Sequence, residues 1–237
     1  MLAALSRDSE AHGVRLTPAQ LEQFETYQRL LLEWSERANL VGDTDPDIVR
    51  QRHFVESLAL GAALREREIL RPESRVLDLG AGAGFPGVVL KIAWPGIRLT
   101  LLEATAKKAA FLSALVEALG LDETPVVTGR AETLGHDPTL RGAFDLVVAR
   151  AVAPLPVLLE LALPFARVGG RLVTPKGSRA SDEIAAAANA LSVLGGKVFT
   201  APLLVRGPPQ TLVAVVKMRE TPAEYSRRPG APAKAPL

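Results

Sequence analysis

Apolar and polar positions follow two different rhythms along this chain. Up to about residue 70 the apolar residues recur every three or four places, and Leu21, Phe24, Tyr27, Leu31 and Trp34 mark one helical face. Thr17-Pro18-Ala19-Gln20 reads as the start of that helix, a capping box with proline at the first helical position. Asp45-Pro46 opens a second helix with Val55, Leu58 and Ala62 on one side, and Asn39–Asp43 is the turn between the two. From Arg75 onward, short runs of Val and Leu alternate with helical stretches. The runs are Arg75–Leu79, Leu99–Leu102, Val126–Thr128, Phe144–Val148 and Leu172–Thr174, the last following a Gly169-Gly170 turn. Helices are clearest at Lys107–Leu119 and Asp182–Leu194. Apolar strands separated by helices predict a mainly parallel sheet with right-handed crossovers. Two further strands, near Lys197–Pro202 and Thr211–Met218, are joined by Gly207-Pro208-Pro209 and no helix, so they are expected to pair antiparallel at the sheet edge.

The expected fold is therefore α/β: a doubly wound, Rossmann-like, mainly parallel sheet with an antiparallel last strand and a helical N-terminal extension. Residues 1–70 form that extension, 71–218 the α/β domain, and 219–237 a basic, Pro-rich arm, expected to be extended beyond Pro222. At 237 residues the chain suits one substantial core. Hydrophobic residues make up 48% and charged residues 23%, a globular balance. With no cysteine there is no disulfide framework and no thiol nucleophile, and His12, His53 and His136 lack metal-ligand spacing. The first residues lack a secretory pattern, and no stretch approaches the roughly 18 apolar residues of a membrane span, so a cytoplasmic protein without a membrane partner is expected. The net charge of +2 gives no global argument for a polyanion. Its distribution leaves two readings, because residues 217–237 hold Lys217, Arg219, Arg227, Arg228 and Lys234 against Glu220 and Glu224: a tail that guides a polyanion, or one that is simply solvated.

Candidate chemistry gathers at the strand ends. Asp78-Leu79-Gly80-Ala81-Gly82-Ala83-Gly84-Phe85-Pro86-Gly87 lies where the first strand turns into a helix, and glycines there let backbone approach a ligand. A dinucleotide fingerprint would need glycine where Phe85 stands, and no Gly-Lys-Ser/Thr makes a P-loop. Glu103 ends the second strand, where an acid accepts ribose hydroxyls. Gly129-Arg130-Ala131-Glu132 follows the third strand, within reach of an adenine edge, and Arg150 follows the fourth. Together these make a nucleoside pocket with a cation beside it.

DLGAGAGFPG looks like motif I of class I methyltransferases. With RHFVES, GRAET, ARAVAPL, PKG and YSRRPGAPAKAPL in order, the chain from about Asn39 to Leu237 resembles the bacterial small-subunit rRNA guanine-N7 methyltransferase family, RsmG, also called GidB. The resemblance implies methyl transfer from S-adenosyl-L-methionine, leaving S-adenosyl-L-homocysteine, to N7 of guanosine 527 in the 530 loop of 16S rRNA. It implies that Gly80 and Phe85 line the methionine side, that Glu103, Ala104 and Thr105 take the ribose flank, and that Ala131 and Glu132 meet the adenine. Arg150 would close the site beside the methyl group, and Arg52, His53, Lys176, Arg227 and Arg228 would touch RNA. The partner would be 16S rRNA, the small subunit or a precursor particle, and the enzyme a monomer. Two positions depart from the family's habit: Asn39-Leu40-Val41 lacks a hydroxyl, and Glu103 stands where aspartate is frequent. A methyltransferase with a small-molecule substrate and a non-catalytic nucleotide-binding module are the rival readings. Two features narrow the field: the fourth strand leads into Ala149-Arg150-Ala151-Val152 where an amino-methylating enzyme has Asn/Asp-Pro-Pro-aromatic, and carbon-5 cytosine chemistry needs a cysteine.

Overall fold

The strands, numbered in chain order, are Arg75–Leu79 (β1), Arg98–Glu103 (β2), Val126–Thr128 (β3), Phe144–Val148 (β4), Ala166–Lys176 (β5), Gly196–Leu203 (β6) and Gln210–Lys217 (β7). In the computed structural model, which describes residues 1–237 except the side chain of Glu36, they form one sheet in the order β3-β2-β1-β4-β5-β7-β6. β1 to β5 pair in parallel, and β7 runs antiparallel to both β5 and β6. The order reverses at β1 and β4, which are neighbours although two strands and their helices separate them in sequence. Ligands of such sheets lie at the carboxyl ends of the strands beside that switch point.

Alternation along each strand divides the apolar residues between two cores. Val76, Leu99, Leu101, Leu146, Val148 and Val173 face one layer, while Leu77, Leu79, Leu102, Val147 and Leu172 face the other. The first layer holds helices Pro18–Ala38 (α2), Glu56–Glu66 (α4), Gly87–Ala93 (α5) and Ala106–Ala118 (α6), numbered after a short N-terminal helix, Leu2–Glu10 (α1), and one turn at Pro46–Val49 (α3). The second holds Leu155–Ala162 (α8), which follows the single turn Ala131–Leu134 (α7), together with Ala180–Ala186 (α9) and Ala188–Leu194 (α10). No helix is long and apolar enough to cross a membrane.

The capping signals in the sequence are realised. Gln20 N–H donates to the Thr17 hydroxyl at 3.3 Å and Thr17 N–H to the Gln20 side-chain oxygen at 2.8 Å, while Asp45 accepts from Asp47 and Ile48 N–H. Between α3 and α4 the chain widens into a π-helix at Arg50–Val55. Phe54 within it packs with Phe24 and Tyr27 of α2, ring centroids 5.1 and 5.2 Å apart. The N-terminal extension therefore shares a core with the sheet.

Several expectations need correction. α1 was not foreseen. β5 begins at Ala166 and runs through Gly169-Gly170, where a turn was expected; its register on β4 shifts at that point, and a Cβ at Gly170 would sit 2.8 Å from Phe144 O. The helix expected over Asp182–Leu194 breaks at Ala187. The C-terminal arm is not extended. It folds back and ends in a short turn of helix, Ala231–Lys234 (α11), because the body supplies partners for its backbone. Arg141 donates to the carbonyls of Thr221, Pro222 and Tyr225, and the Ser226 hydroxyl donates to Glu160 O at 2.7 Å.

Candidate functional site

At the switch point the β1–α5 turn is built on buried Asp78. One of its carboxylate oxygens accepts Gly87 N–H at 2.7 Å, and the other is buried without a partner. A Cβ at Gly87 would lie 2.6 Å from that carboxylate, so only glycine lets the helix start this close. Burial, with the charge of Glu103 nearby, raises the Asp78 pKa to about 7 against the Gly87 hydrogen bond. Tyr27 braces the turn from α2, donating to Ala83 O at 2.6 Å. The turn is thereby fixed from the sheet and from the N-terminal extension together.

Beside it opens a cavity of about 230 Å³ between the ends of β1, β2 and β3, α8 and α11. Gly80, Glu103, Ala104, Ala131 and Glu132 line it, five of the eight pocket residues expected from sequence. Glu103, 7% exposed, accepts Gly82 N–H at 2.9 Å and Thr105 N–H at 2.7 Å. Each carboxylate oxygen accepts up to two hydrogen bonds, so acceptor capacity remains for ligand hydroxyls. Glu132, also buried, takes the guanidinium of Arg130 at 2.8 Å and Gly230 N–H at 3.0 Å on one oxygen. These hydrogen bonds outweigh burial and hold its pKa below the usual glutamate value.

The other three lie outside the cavity. Thr105 contributes its N–H to Glu103. Phe85 is the middle of an aromatic stack, between Tyr27 at 5.3 Å and His53 at 4.7 Å. Arg150 turns toward the π-helix, donating to Glu56 at 2.8 Å and to Arg52 O. Sequence reasoning missed the wall opposite: Val152, Val157 and Leu161, and above all Pro232 and Ala233 of the arm. The available signal was Glu160, a lone acid inside the apolar run Leu155–Ala162, which needs a cation from elsewhere in the chain.

Among the residues expected to meet RNA, Arg52 is exposed and lines a hollow beside Arg150. His53 is half-buried, and burial followed by the neighbouring charges of Arg150 and Arg52 lowers its pKa to about 4, so it carries no charge at neutral pH. Lys176 pairs with Glu183 at 2.8 Å and donates to Ala153 O. Arg227 does not project outward: Nε and Nη2 both bind Glu160, at 2.9 and 2.6 Å, because that carboxylate is 1% exposed and has this cation for its partner. Arg228 is exposed, with no ion pair among the described residues.

The chain is one of the S-adenosylmethionine-dependent methyltransferases, as its family match shows. The family model described as rRNA small subunit methyltransferase G, GidB, matches residues 20–212, so the chain belongs to that family. It is similar to the "Ribosomal RNA small subunit methyltransferase G" of Roseiflexus castenholzii, 44% identical over 98% of each chain. The protein of the same name from Moorella thermoacetica is 41% identical, over 100% of this chain and 97% of the relative. In fold the chain is also similar to a precorrin-6y C5,15-methyltransferase from Geobacter metallireducens, with TM-score 0.51, 17% identity and coverage of 69% and 87%.

The cavity fits the nucleoside end of that cofactor. Leu79, Leu102, Val157 and Pro232 give apolar surface for a purine, and the two carboxylates give acceptors for hydroxyl and amino groups. Gly80 has φ +70°, and a Cβ there would meet Val152 at 2.9 Å, so only glycine suits this position of the cavity wall.

Proposed function

We propose that this methyltransferase modifies N7 of guanosine 527 in the 530 loop of 16S rRNA. The reading is carried by the cavity bounded by Gly80, Glu103, Ala131 and Glu132 at three successive strand ends. The family's substrate class and the motif resemblance support this choice of nucleotide. In this reading Glu103 holds the ribose hydroxyls, Ala104 and Thr105 flank them, and Ala131 and Glu132 meet the adenine. Pro232 and Ala233 cover the nucleoside from the arm side. Gly80 and Phe85 bound the methionine end, the ring acting through the stack that fixes the turn. Arg150 stands at the reacting end.

The cofactor would supply an electrophilic sulfonium methyl group, whose carbon a nucleophile attacks as the S–CH3 bond breaks and S-adenosylhomocysteine leaves with the electron pair. Guanine N7 has a lone pair and no proton, so the side chains need not remove one. Their work is alignment and exclusion of water: Tyr27 and Asp78 hold the glycine turn, and the buried carboxylates fix the nucleoside end. Arg150, engaged by Glu56, keeps positive charge at the mouth, where it favours RNA phosphate. N7 faces the deep, narrow groove of A-form RNA, so an unstacked loop guanosine is the accessible substrate.

The test is to incubate the purified chain and cofactor with small subunits lacking the modification and map N7-methylguanosine. Methylation at guanosine 527 is expected. An unmodified 530 loop with turnover elsewhere would replace this substrate with another.

A further inference from the structure

A second cavity, about 980 Å³, lies apart from the one at the strand ends and exceeds its 230 Å³. It opens between the turn after α1, the C-terminal half of α4, the end of α5 and the tip of the β6–β7 hairpin. Arg15, Arg65, Arg67 and Arg206 line it, against one acid, Glu66, which already pairs with Arg67 at 3.1 Å. Arg206 also lines a second hollow of about 410 Å³, together with Arg52 and Glu56. Glu56 in turn holds Arg150. The shared residues make one concave track from the reacting end of the site, past Arg52 and Arg206, to the cavity beside Trp94.

Charge along this track is not composition. The whole chain carries a net +2, yet Arg15, Arg52, Arg65 and Arg206 are exposed on this one face with no carboxylate partner among the described residues. Arg50 nearby is engaged by Asp8 and Asp47, and burial and then the charges of Arg206 and Arg7 lower its pKa. Guanidiniums gathered without counter-charge repel one another, and a polyanion relieves that cost. The planar guanidinium fork binds two phosphate oxygens at once.

From this we infer that the track is the path of the RNA strand entering the site, with Arg15, Arg65 and Arg206 holding successive phosphates away from the target guanosine. The inference rests on the rRNA reading and adds where the substrate lies. It adds Arg15, Arg65 and Arg206 to Arg52 as RNA contacts and leaves Arg227 with Glu160.

The test compares the full-length chain with Arg65→Ala/Arg206→Ala, two exposed positions remote from the cofactor cavity. Binding to a fluorescent 530-loop RNA is measured by anisotropy from 0.05 to 0.4 M salt, and S-adenosylhomocysteine binding by calorimetry. Losing two phosphate contacts lowers the log–log salt slope by about 1.4–1.8, which corresponds to roughly 30-fold weaker binding at 0.1 M salt. Cofactor affinity is expected to stay unchanged. Arg15→Ala, on a different element, should lower the slope by about 0.7–0.9 and so separates lost phosphate contacts from local misfolding. Wild-type slope and affinity in both variants would overturn the track, including the case in which it serves an acidic protein instead. A native chain that neither binds nor methylates rRNA would overturn the substrate reading itself, a result distinct from failure of the track alone.

Discussion

The cofactor cavity has two walls of different origin. One is made by strand ends, where Gly80, Glu103 and Glu132 are placed by the sheet and by hydrogen bonds to Gly82 and Thr105 N–H. The other is made by the arm, where Pro232 and Ala233 are placed by a single buried ion pair and a few backbone contacts. The first wall is as stable as the sheet itself. The second depends on side chains some 70 residues apart in sequence finding each other. On the proposed function, the strand ends would define what is bound and the arm would tune affinity.

The largest effect that can break this comparison comes from Arg227→Ala. It leaves the Glu160 carboxylate buried with only Arg227 N–H as a hydrogen-bond donor. Breaking a buried pair from one side costs about 3 kcal/mol at the lower end of the usual range, apt here because Arg227 is partly exposed. In a chain of this size each kcal/mol shifts Tm by about 2–4 °C. Calorimetry should show a lower Tm and several-fold weaker cofactor binding, with the salt slope of RNA binding unchanged. A variant with native Tm, native cofactor affinity and a shallower salt slope would return Arg227 to the RNA surface and dissolve the second wall.

Glu103→Ala probes the rigid wall. Ribose hydroxyls lose an anionic acceptor worth about 1.5–3 kcal/mol, so cofactor affinity should fall roughly 10- to 100-fold. The arm should stay closed, and the Tm loss should be smaller than for Arg227→Ala. Unchanged affinity by titration calorimetry would remove Glu103 from the site.

The two walls also differ in how far they can be read from sequence. β1, β3 and β4 fall where the Val and Leu runs place them, because buried strands must be apolar and the glycine turn must end β1. Glu103 and Glu132 follow from their place after a strand. The arm is different: Pro229, Pro232 and Pro236 read as extended chain, and basic residues read as solvated or RNA-facing. Its structure depends on Glu160 and Arg141, distant residues that no local pattern couples to it. Arg150 shows the same limit on the rigid side. Its position after β4 is legible, whereas its engagement by Glu56 depends on how the π-helix packs.

The smallest net change in the native chain concerns the bracing under the rigid wall, where two opposed terms nearly cancel and only variants separate them. Asp78 has a folded pKa of about 7 against 3.8 unfolded, so between those pH values the folded chain holds a proton that the unfolded chain has lost. Stability from this group therefore falls as pH rises from about 4 to about 7. His53 has a folded pKa of about 4 against 6.5, so there the unfolded chain holds the extra proton and stability rises as pH climbs through the same window. The two slopes oppose each other across the Phe85 turn, and the native chain should show little net dependence from them between about pH 4 and 6.5. Urea midpoints of Asp78→Asn and His53→Gln, each subtracted from the native curve, separate the terms and cancel every other titrating group. The native-minus-Asp78→Asn stability difference should decline with pH up to about 7 and then level, while the native-minus-His53→Gln difference should rise up to about 6.5. If both differences are flat, neither group titrates as its surroundings require, and the rigid wall does not stand on a buried protonated carboxyl.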